Sequence, residues 1–140
     1  MTTILLVDND KNHRSLYEHE LRFEGYEVVI AEDGKDVLKK VQEQPLDLVV
    51  MDINLPMMDG LDIMDWILSK HRNIPTIINT TYSSYKDNFM TWAADAFIVK
   101  SSDVTELKNK IKELITNKRQ RLRSKVPTNN STDDYACLNE

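Results

Sequence analysis

The amino-acid sequence predicts an α/β protein with a doubly wound, five-stranded parallel sheet. Two observations support this class: five short apolar runs rich in β-branched residues, and segments of helical period between successive runs. The runs do not alternate cleanly between polar and apolar residues, which is typical of strands that helices cover on both faces. Strands and helices that alternate along a chain form parallel sheets. At 140 residues, the chain suits one domain of this kind.

The predicted strands are the apolar runs themselves. The third is the most continuous, because Leu48 to Met51 contains no polar residue. In chain order, the predicted strands are Ile4–Val7, Val28–Ala31, Leu46–Met51, Thr76–Asn79 and Ala96–Val99.

The predicted helices are recognised by apolar residues at helical spacing and by their end signals. In chain order they are Lys11–Glu24, Lys35–Glu43, Gly60–Lys70, a fourth helix from about Ser83–Ser84 and a fifth after Asp103. The first helix stops at Gly25, and the second stops before Pro45. In the fifth helix, Asp103 is the expected N-cap and Glu106 completes a capping box.

The composition argues against a membrane segment or a secretion signal. The chain is 41% apolar and 29% charged, and no apolar run approaches the roughly 18–20 residues that span a bilayer. The N-terminus lacks the basic and apolar regions of a signal peptide. The single cysteine, Cys137, cannot form an internal disulfide. We therefore expect a cytoplasmic protein.

Charge is distributed unevenly along the chain. The net charge is −5, yet residues 118–125 are basic and contain no acidic residue. The acidic remainder would repel phosphates, so we do not expect a nucleic-acid partner. We interpret residues 118–125 mainly as a solvated helix extension, with contact to an acidic partner or to nucleic acid as the alternative. The predicted domain covers residues 1–118, and residues 119–140 are interpreted as a basic, then polar, disordered tail.

Polar side chains follow four of the predicted strands, at the point where each strand ends. Asp8 follows the first strand, Asp52 the third, Thr80 the fourth and Lys100 the fifth. Individually, an aspartate can cap a helix and a lysine is usually a solvated surface charge. Together, these residues lie at the sheet edge where doubly wound proteins bind ligands. Carboxylates suit Mg²⁺, while a lysine and a hydroxyl bind phosphoryl oxygens, so the set favours phosphoryl transfer.

Four segments carry a resemblance to a known family. They are VDND, MDINLPMMDG, IPTIINTTY and DAFIVK, and the second contains the D-x-x-x-P-x-x-D-G pattern of Asp52, Pro56, Asp59 and Gly60. Over about residues 3–117, the chain resembles the receiver domains of two-component response regulators. The resemblance implies a flavodoxin-like (β/α)5 fold with strand order 2-1-3-4-5.

The resemblance also implies a phosphoacceptor and a metal site. Asp52 matches the family's nucleophile, which becomes an acyl phosphate. Asp8 and Asn9 match the paired positions that, together with Asp52, hold Mg²⁺. Asn54 matches the position that offers a backbone carbonyl to the metal.

A conformational switch and two kinds of partner follow from the same resemblance. Thr80 and Lys100 match the residues that bind phosphoryl oxygens, and Thr80 and Phe97 match the pair that moves on phosphorylation. The implied donor is a histidine kinase or a histidine phosphotransferase. The implied target reads the face formed by the fourth helix, the fifth strand and the fifth helix. We expect no catalysis beyond the protein's own phosphorylation and dephosphorylation, and a receiver without an output domain.

Three positions depart from the family pattern. Asn9 stands where aspartate is usual, which should weaken Mg²⁺ binding. Ser101 stands where proline usually follows the lysine, so we expect a trans peptide after Lys100, or a strained cis one. Thr81 replaces a small residue, and Tyr82 after it could shield an acyl phosphate from water.

Two alternatives remain at this point. A phosphorylation-independent adaptor would keep the fold while Asn9 and Ser101 mark a decayed site. A phosphatase of the haloacid dehalogenase type would need a second acid two residues after Asp52, and Asn54 occupies that position.

Overall fold

A parallel five-stranded sheet forms the centre of the protein. The computed structural model describes residues 1–55, 60–71, 73–81 and 94–125, and at residues 60, 61 and 121–125 it describes the backbone alone. The strands are β1 Thr3–Val7, β2 Glu27–Ala31, β3 Leu48–Met51, β4 Thr76–Thr80 and β5 Ala96–Val99. They pair in parallel in the order β2-β1-β3-β4-β5, which confirms the predicted strand order.

Four helices are described around the sheet. They are α1 Lys11–Phe23, α2 Gly34–Glu43, α3 Gly60–Lys70 and α4 Thr105–Lys125. The helix predicted from about Ser83 lies outside the described residues, so α4 is the fifth helix of the sequence prediction. It continues past residue 118, the predicted end of the domain, and its last part is the expected basic helix extension. The tail predicted beyond it lies outside the described residues.

The third strand begins later than the sequence predicts, at Leu48 and not at Leu46. Leu46 is buried, but it precedes the strand ladder. The next residue, Asp47, is tied to the start of β1: its backbone amide donates to the Thr3 carbonyl at 2.8 Å, and its carboxylate accepts from the Thr3 amide at 2.8 Å. The apolar side chain of Leu46 therefore belongs to the core, but it does not indicate where strand pairing begins.

Both faces of the sheet are covered by apolar side chains, as expected for a parallel sheet. We call the two groups the α2–α3 cluster and the α1–α4 cluster, after the helices that supply them. The α2–α3 cluster consists of Leu5, Val7, Ala31, Val37, Val41, Leu46, Val49, Met51, Ile53, Leu55, Ile63, Met64, Ile67 and Ile78. The α1–α4 cluster consists of Ile4, Leu6, Tyr17, Leu21, Val28, Leu48, Val50, Ile77, Ile98, Leu107, Ile111, Leu114 and Ile115.

The ends of α1 are defined by local hydrogen bonds. At its start, the Asp10 carboxylate accepts from the backbone amides of Asn12 and His13 at 2.9 and 3.1 Å. At its end, Gly25 has a φ of 94°, a conformation that glycine adopts without steric cost. The following amide, that of Tyr26, donates back to the Leu21 carbonyl at 3.2 Å, as in a Schellman motif. These ends fix the length of α1 and therefore where its first turn meets the sheet.

Among the helices that the structure describes, none has the length together with the apolar composition of a membrane span.

Candidate functional site

The carboxyl ends of the strands bring three charged residues together. Asp8 follows β1, Asp52 follows β3 and Lys100 follows β5. The backbone amide of each donates to the carbonyl of the last residue of a neighbouring strand, so the hydrogen-bonded ladder continues one residue past the strand ends. The acceptors are Ala31 for Asp8 (3.2 Å), Val7 for Asp52 (2.9 Å) and Thr80 for Lys100 (2.9 Å). The sheet thus holds the backbone of all three residues.

The side chains of these residues meet in a buried cluster. The Nζ of Lys100 lies 2.7 Å from Oδ2 of Asp8 and 2.8 Å from Oδ2 of Asp52. The exposed fractions of the side chains are 3% for Lys100, 2% for Asp8 and 9% for Asp52. One ammonium therefore offsets two carboxylates, and the cluster carries a net negative charge.

The Lys100 ammonium is stabilised by its acidic neighbours. Burial alone disfavours the charged form and would lower its pKa. The hydrogen bonds that Lys100 donates to Asp52 and Asp8, with the charges of the same carboxylates, outweigh this and raise the pKa of Lys100 above its ordinary value. Lys100 is therefore a permanent cation at neutral pH.

The carboxylates are suited to a small divalent cation. Each directs its Oδ2 at the same point, which the Lys100 ammonium occupies. Their other oxygens accept backbone amides: Oδ1 of Asp8 from Asp10 at 2.9 Å, and Oδ1 of Asp52 from Asn54 at 3.0 Å. Mg²⁺ in proteins usually binds one or two carboxylates and keeps several water ligands, and two converging carboxylates with room for water suit this coordination. Within the described residues, no group of three or more His, Cys, Asp or Glu side chains could hold a metal, so water and other oxygens would complete the shell.

A cleft of about 290 Å³ opens beside the buried cluster. Its lining residues are Asn9, Asp10, His13, Asp52, Asn54, Thr81 and Lys100. Of the two carboxylates that Lys100 holds, Asp52 faces this cleft and Asp8 does not. Asp52 is therefore the carboxylate that a molecule in the cleft would meet.

His13 is the cleft residue that the sequence interpretation missed. Its Nδ1 lies 3.3 Å from the Nζ of Lys100. A sequence signal was present: His13 lies three residues after Asp10, on the first turn of a helix that begins at the same sheet edge. The family resemblance gives His13 no role, so the sequence did not predict it as a site residue.

The hydroxyl predicted to bind phosphoryl oxygens belongs to a buried residue at the end of β4. Thr80 is fully buried, and Thr81 lines the cleft instead. Phe97 is partly buried against the α2–α3 cluster. In the β4–β5 register Phe97 lies opposite Ile78, two residues before Thr80, so Phe97 and Thr80 share one face of the sheet.

Of the remaining positions that the sequence singled out, Ser101 lies within the described residues. The peptide between Lys100 and Ser101 is trans, as expected in the absence of proline. Pro56, Asp59 and Tyr82 lie outside the described residues.

Comparison with known proteins identifies the family of this chain. The family model of the response regulator receiver domain matches residues 4–112. The chain belongs to this family. Response regulator ArlR of Staphylococcus epidermidis is 38% identical over 117 residues, which are 82% of this chain and 53% of ArlR. The receiver domain described here thus spans about half the length of the curated relatives it matches.

Solved receiver structures share the fold. TrrA of Thermotoga maritima, in complex with Mg²⁺-BeF, has 42% sequence identity and a TM-score of 0.79, covering 81% of this chain and 99% of TrrA. A CheY-like receiver domain protein of Methanospirillum hungatei has 30% identity and a TM-score of 0.82, covering 86% of this chain and 98% of that protein. TrrA has also been solved in complex with the histidine kinase ThkA. The chain is therefore a response regulator receiver domain of two-component signal transduction.

Proposed function

We propose that this receiver domain accepts a phosphoryl group on Asp52 from the phosphohistidine of a kinase or a phosphotransferase. One observation carries the proposal: the Asp52 carboxylate faces a cleft and is hydrogen-bonded to a lysine that stays charged. Phosphoryl transfer depends mainly on positioning and on neutralising charge. The sheet positions Asp52 through its backbone, and Lys100 contributes to neutralising the charge.

In the proposed reaction, an oxygen of Asp52 forms a bond to phosphorus while the bond between phosphorus and the donor imidazole breaks. The electron pair of that bond returns to the donor's ring nitrogen. Asp52 enters the reaction as a carboxylate, so no general base has to remove a proton from it. Lys100 donates hydrogen bonds to the phosphoryl oxygens as their charge shifts.

Asp8, Asn9, Asp52 and the backbone carbonyl of Asn54 are the residues we expect to hold Mg²⁺. The bound ion would supply positive charge to the phosphoryl oxygens. The convergence of Asp8 and Asp52 on one point supports this assignment, as does the Mg²⁺-BeF complex of TrrA. Asn9 contributes an amide oxygen without charge, so we expect weaker Mg²⁺ binding than in a domain with aspartate at this position.

The proposed output is a change in the surface around β5. Thr80 would turn its hydroxyl toward the phosphoryl group, and Phe97 on the same sheet face would move behind it. A downstream protein would then read the face formed by β5, α4 and the helix predicted from about Ser83. The kinase complex of TrrA supports a histidine kinase as the donor.

The test is the intact mass of the protein after incubation with acetyl phosphate, with and without Mg²⁺. We expect a Mg²⁺-dependent gain of one phosphoryl group in the wild type and none in Asp52→Asn. Asp62→Asn, on the exposed side of α3, is the matched control and should be labelled like the wild type. Failure to label the wild type, with acetyl phosphate or with a phosphorylated histidine phosphotransferase, would favour a phosphorylation-independent adaptor.

A further inference from the structure

His13 occupies a defined place in the cleft that the proposed function does not use. Its side chain is 38% exposed, and its backbone amide donates to the Asp10 carboxylate at 3.1 Å. Its ring stacks against Tyr17, with the ring centroids 6.2 Å apart and the ring planes at 29°. The ring is therefore held by the first turn of α1 on one side and by a buried aromatic residue on the other.

The contact between His13 and Lys100 completes the hydrogen bonding of the ammonium. An ammonium group has three hydrogens and no lone pair. Asp8 and Asp52 accept two of the hydrogens, and Nδ1 of His13, at 3.3 Å, is placed to accept the third. Because the ammonium can only donate, this contact requires an imidazole whose Nδ1 carries no proton. A His13 ring in that form is a neutral acceptor beside two charged ones.

We propose that His13 is a positioning residue for Lys100, and that it keeps the ammonium directed at the cleft while Asp52 changes its charge. The inference rests on the proposed phosphorylation of Asp52. Once Asp52 is an acyl phosphate, the negative charge lies on the phosphoryl oxygens in the cleft, and Lys100 has to reach them against the attraction of Asp8, which would displace it toward the buried side. A neutral acceptor on the cleft side opposes that displacement without competing, as a third carboxylate would, with the phosphoryl oxygens.

The same geometry offers the ring one other partner, and that pairing gives the opposite test result. Nδ1 of His13 also lies 3.6 Å from Oδ2 of Asp10, the residue that caps α1. A protonated His13 would pair with Asp10 and could not accept from Lys100. The 3.3 Å approach of a permanent cation favours the neutral ring.

The first experiment compares three variants in the initial rate of acetyl phosphate labelling at saturating Mg²⁺. His13→Leu has a similar size but no acceptor, whereas His13→Asn restores a neutral acceptor near the position of Nδ1. His19→Leu makes the same change at an exposed site of α1 and is the control. We expect His13→Leu to be slower by roughly fivefold, the worth of one hydrogen bond, and the other two to stay within about twofold of the wild type. Equal rates for His13→Leu and the wild type, or equal losses for Leu and Asn, would overturn the proposal.

The second experiment uses the unphosphorylated wild type, so it depends neither on the folding of a variant nor on labelling. The ¹⁵N chemical shifts of the His13 ring at neutral pH distinguish a bare Nδ1 from a protonated one. We expect an unprotonated, hydrogen-bonded Nδ1 and a proton on Nε2. A protonated Nδ1 would refute the contact with Lys100 even if Asp52 is labelled. Conversely, a bare Nδ1 in a protein that is never labelled would refute the proposed function and leave the contact in place.

Discussion

At the scale of single residues, the site depends on one buried cation. Lys100 offsets two carboxylates that would otherwise face each other in a largely dehydrated cluster. Removing one partner of a buried ion pair leaves a charge without compensation, and this costs more than the intact pair contributes. The lysine is therefore important for stability before any phosphoryl group arrives.

Replacing Lys100 by methionine tests this dependence. We expect Lys100→Met to lower the free energy of unfolding by about 3 kcal/mol at neutral pH without Mg²⁺, because Asp8 and Asp52 lose their counter-charge. Added Mg²⁺ should stabilise this variant more than the wild type, in which the ion has to displace the ammonium. Urea unfolding with and without Mg²⁺ measures both effects. Lys112→Met, exposed on α4, is the control; a similar small loss in both variants would contradict the expectation.

At the scale of secondary-structure elements, the first turn of α1 brings two functions into one place. Asp10 caps the helix by accepting the amides of Asn12 and His13, and the same turn directs the His13 ring into the cleft. The hydrogen bond from the His13 amide is the main reason that the pKa of Asp10 lies below its ordinary value. A change at the cap therefore reaches the site through the helix backbone.

The cap gives a pH dependence whose sign follows from that shift. A carboxyl group whose pKa is lower in the folded state stabilises the fold above its unfolded pKa of 3.8, and this contribution is lost as the pH falls through the folded pKa. We expect Asp10→Ala to lower the urea midpoint at neutral pH and the difference from the wild type to shrink toward about pH 3. Asp65→Ala, exposed on α3, should show no such loss. A difference that does not change with pH would mean that the charge of Asp10 has no part in capping.

The elements themselves were largely predictable from the sequence, whereas the depth of individual side chains was not. Apolar runs and end signals such as Gly25 report on local conformation, which is why five strands and four helices lie close to their predicted positions. The burial of Thr80 and the contact of His13 with Lys100 depend on residues that are distant in the sequence. A contact of that kind leaves no local pattern unless a family motif records it.

At the scale of the whole molecule, one sheet connects two apolar layers. The α2–α3 cluster and the α1–α4 cluster lie on opposite faces, and both contain residues of β1, β3 and β4. Small domains of this kind usually unfold in a single cooperative step. We therefore expect a destabilising substitution in one cluster to destabilise the other as well, because the two clusters share strands.

Ile111→Ala tests this coupling. Ile111 is fully buried in the α1–α4 cluster, and its truncation should cost about 3 kcal/mol. Trp66 packs against the opposite cluster, so its indole NMR signal reports on the other face. We expect that signal and the far-UV circular dichroism to lose their native values at the same reduced urea concentration. Lys112→Ala, the exposed neighbour, should leave the midpoint nearly unchanged, and separate midpoints for the two probes in Ile111→Ala would argue against a single cooperative unit.

The amide bonds that continue the ladder past the strand ends have a consequence for how such a protein can change in evolution. Asp8, Asp52 and Lys100 are each fixed by one backbone hydrogen bond at the first position after a strand. Because strand side chains alternate between faces, inserting or deleting one residue before any of them would turn the charged group away from its partners. Departures from the family pattern such as Asn9, which lines the cleft, and Ser101, which follows Lys100, leave this spacing intact. We expect lineages of this domain to vary the cleft lining at positions other than Asp52 and Lys100, and to tolerate insertions and deletions only beyond the junctions between strands and loops.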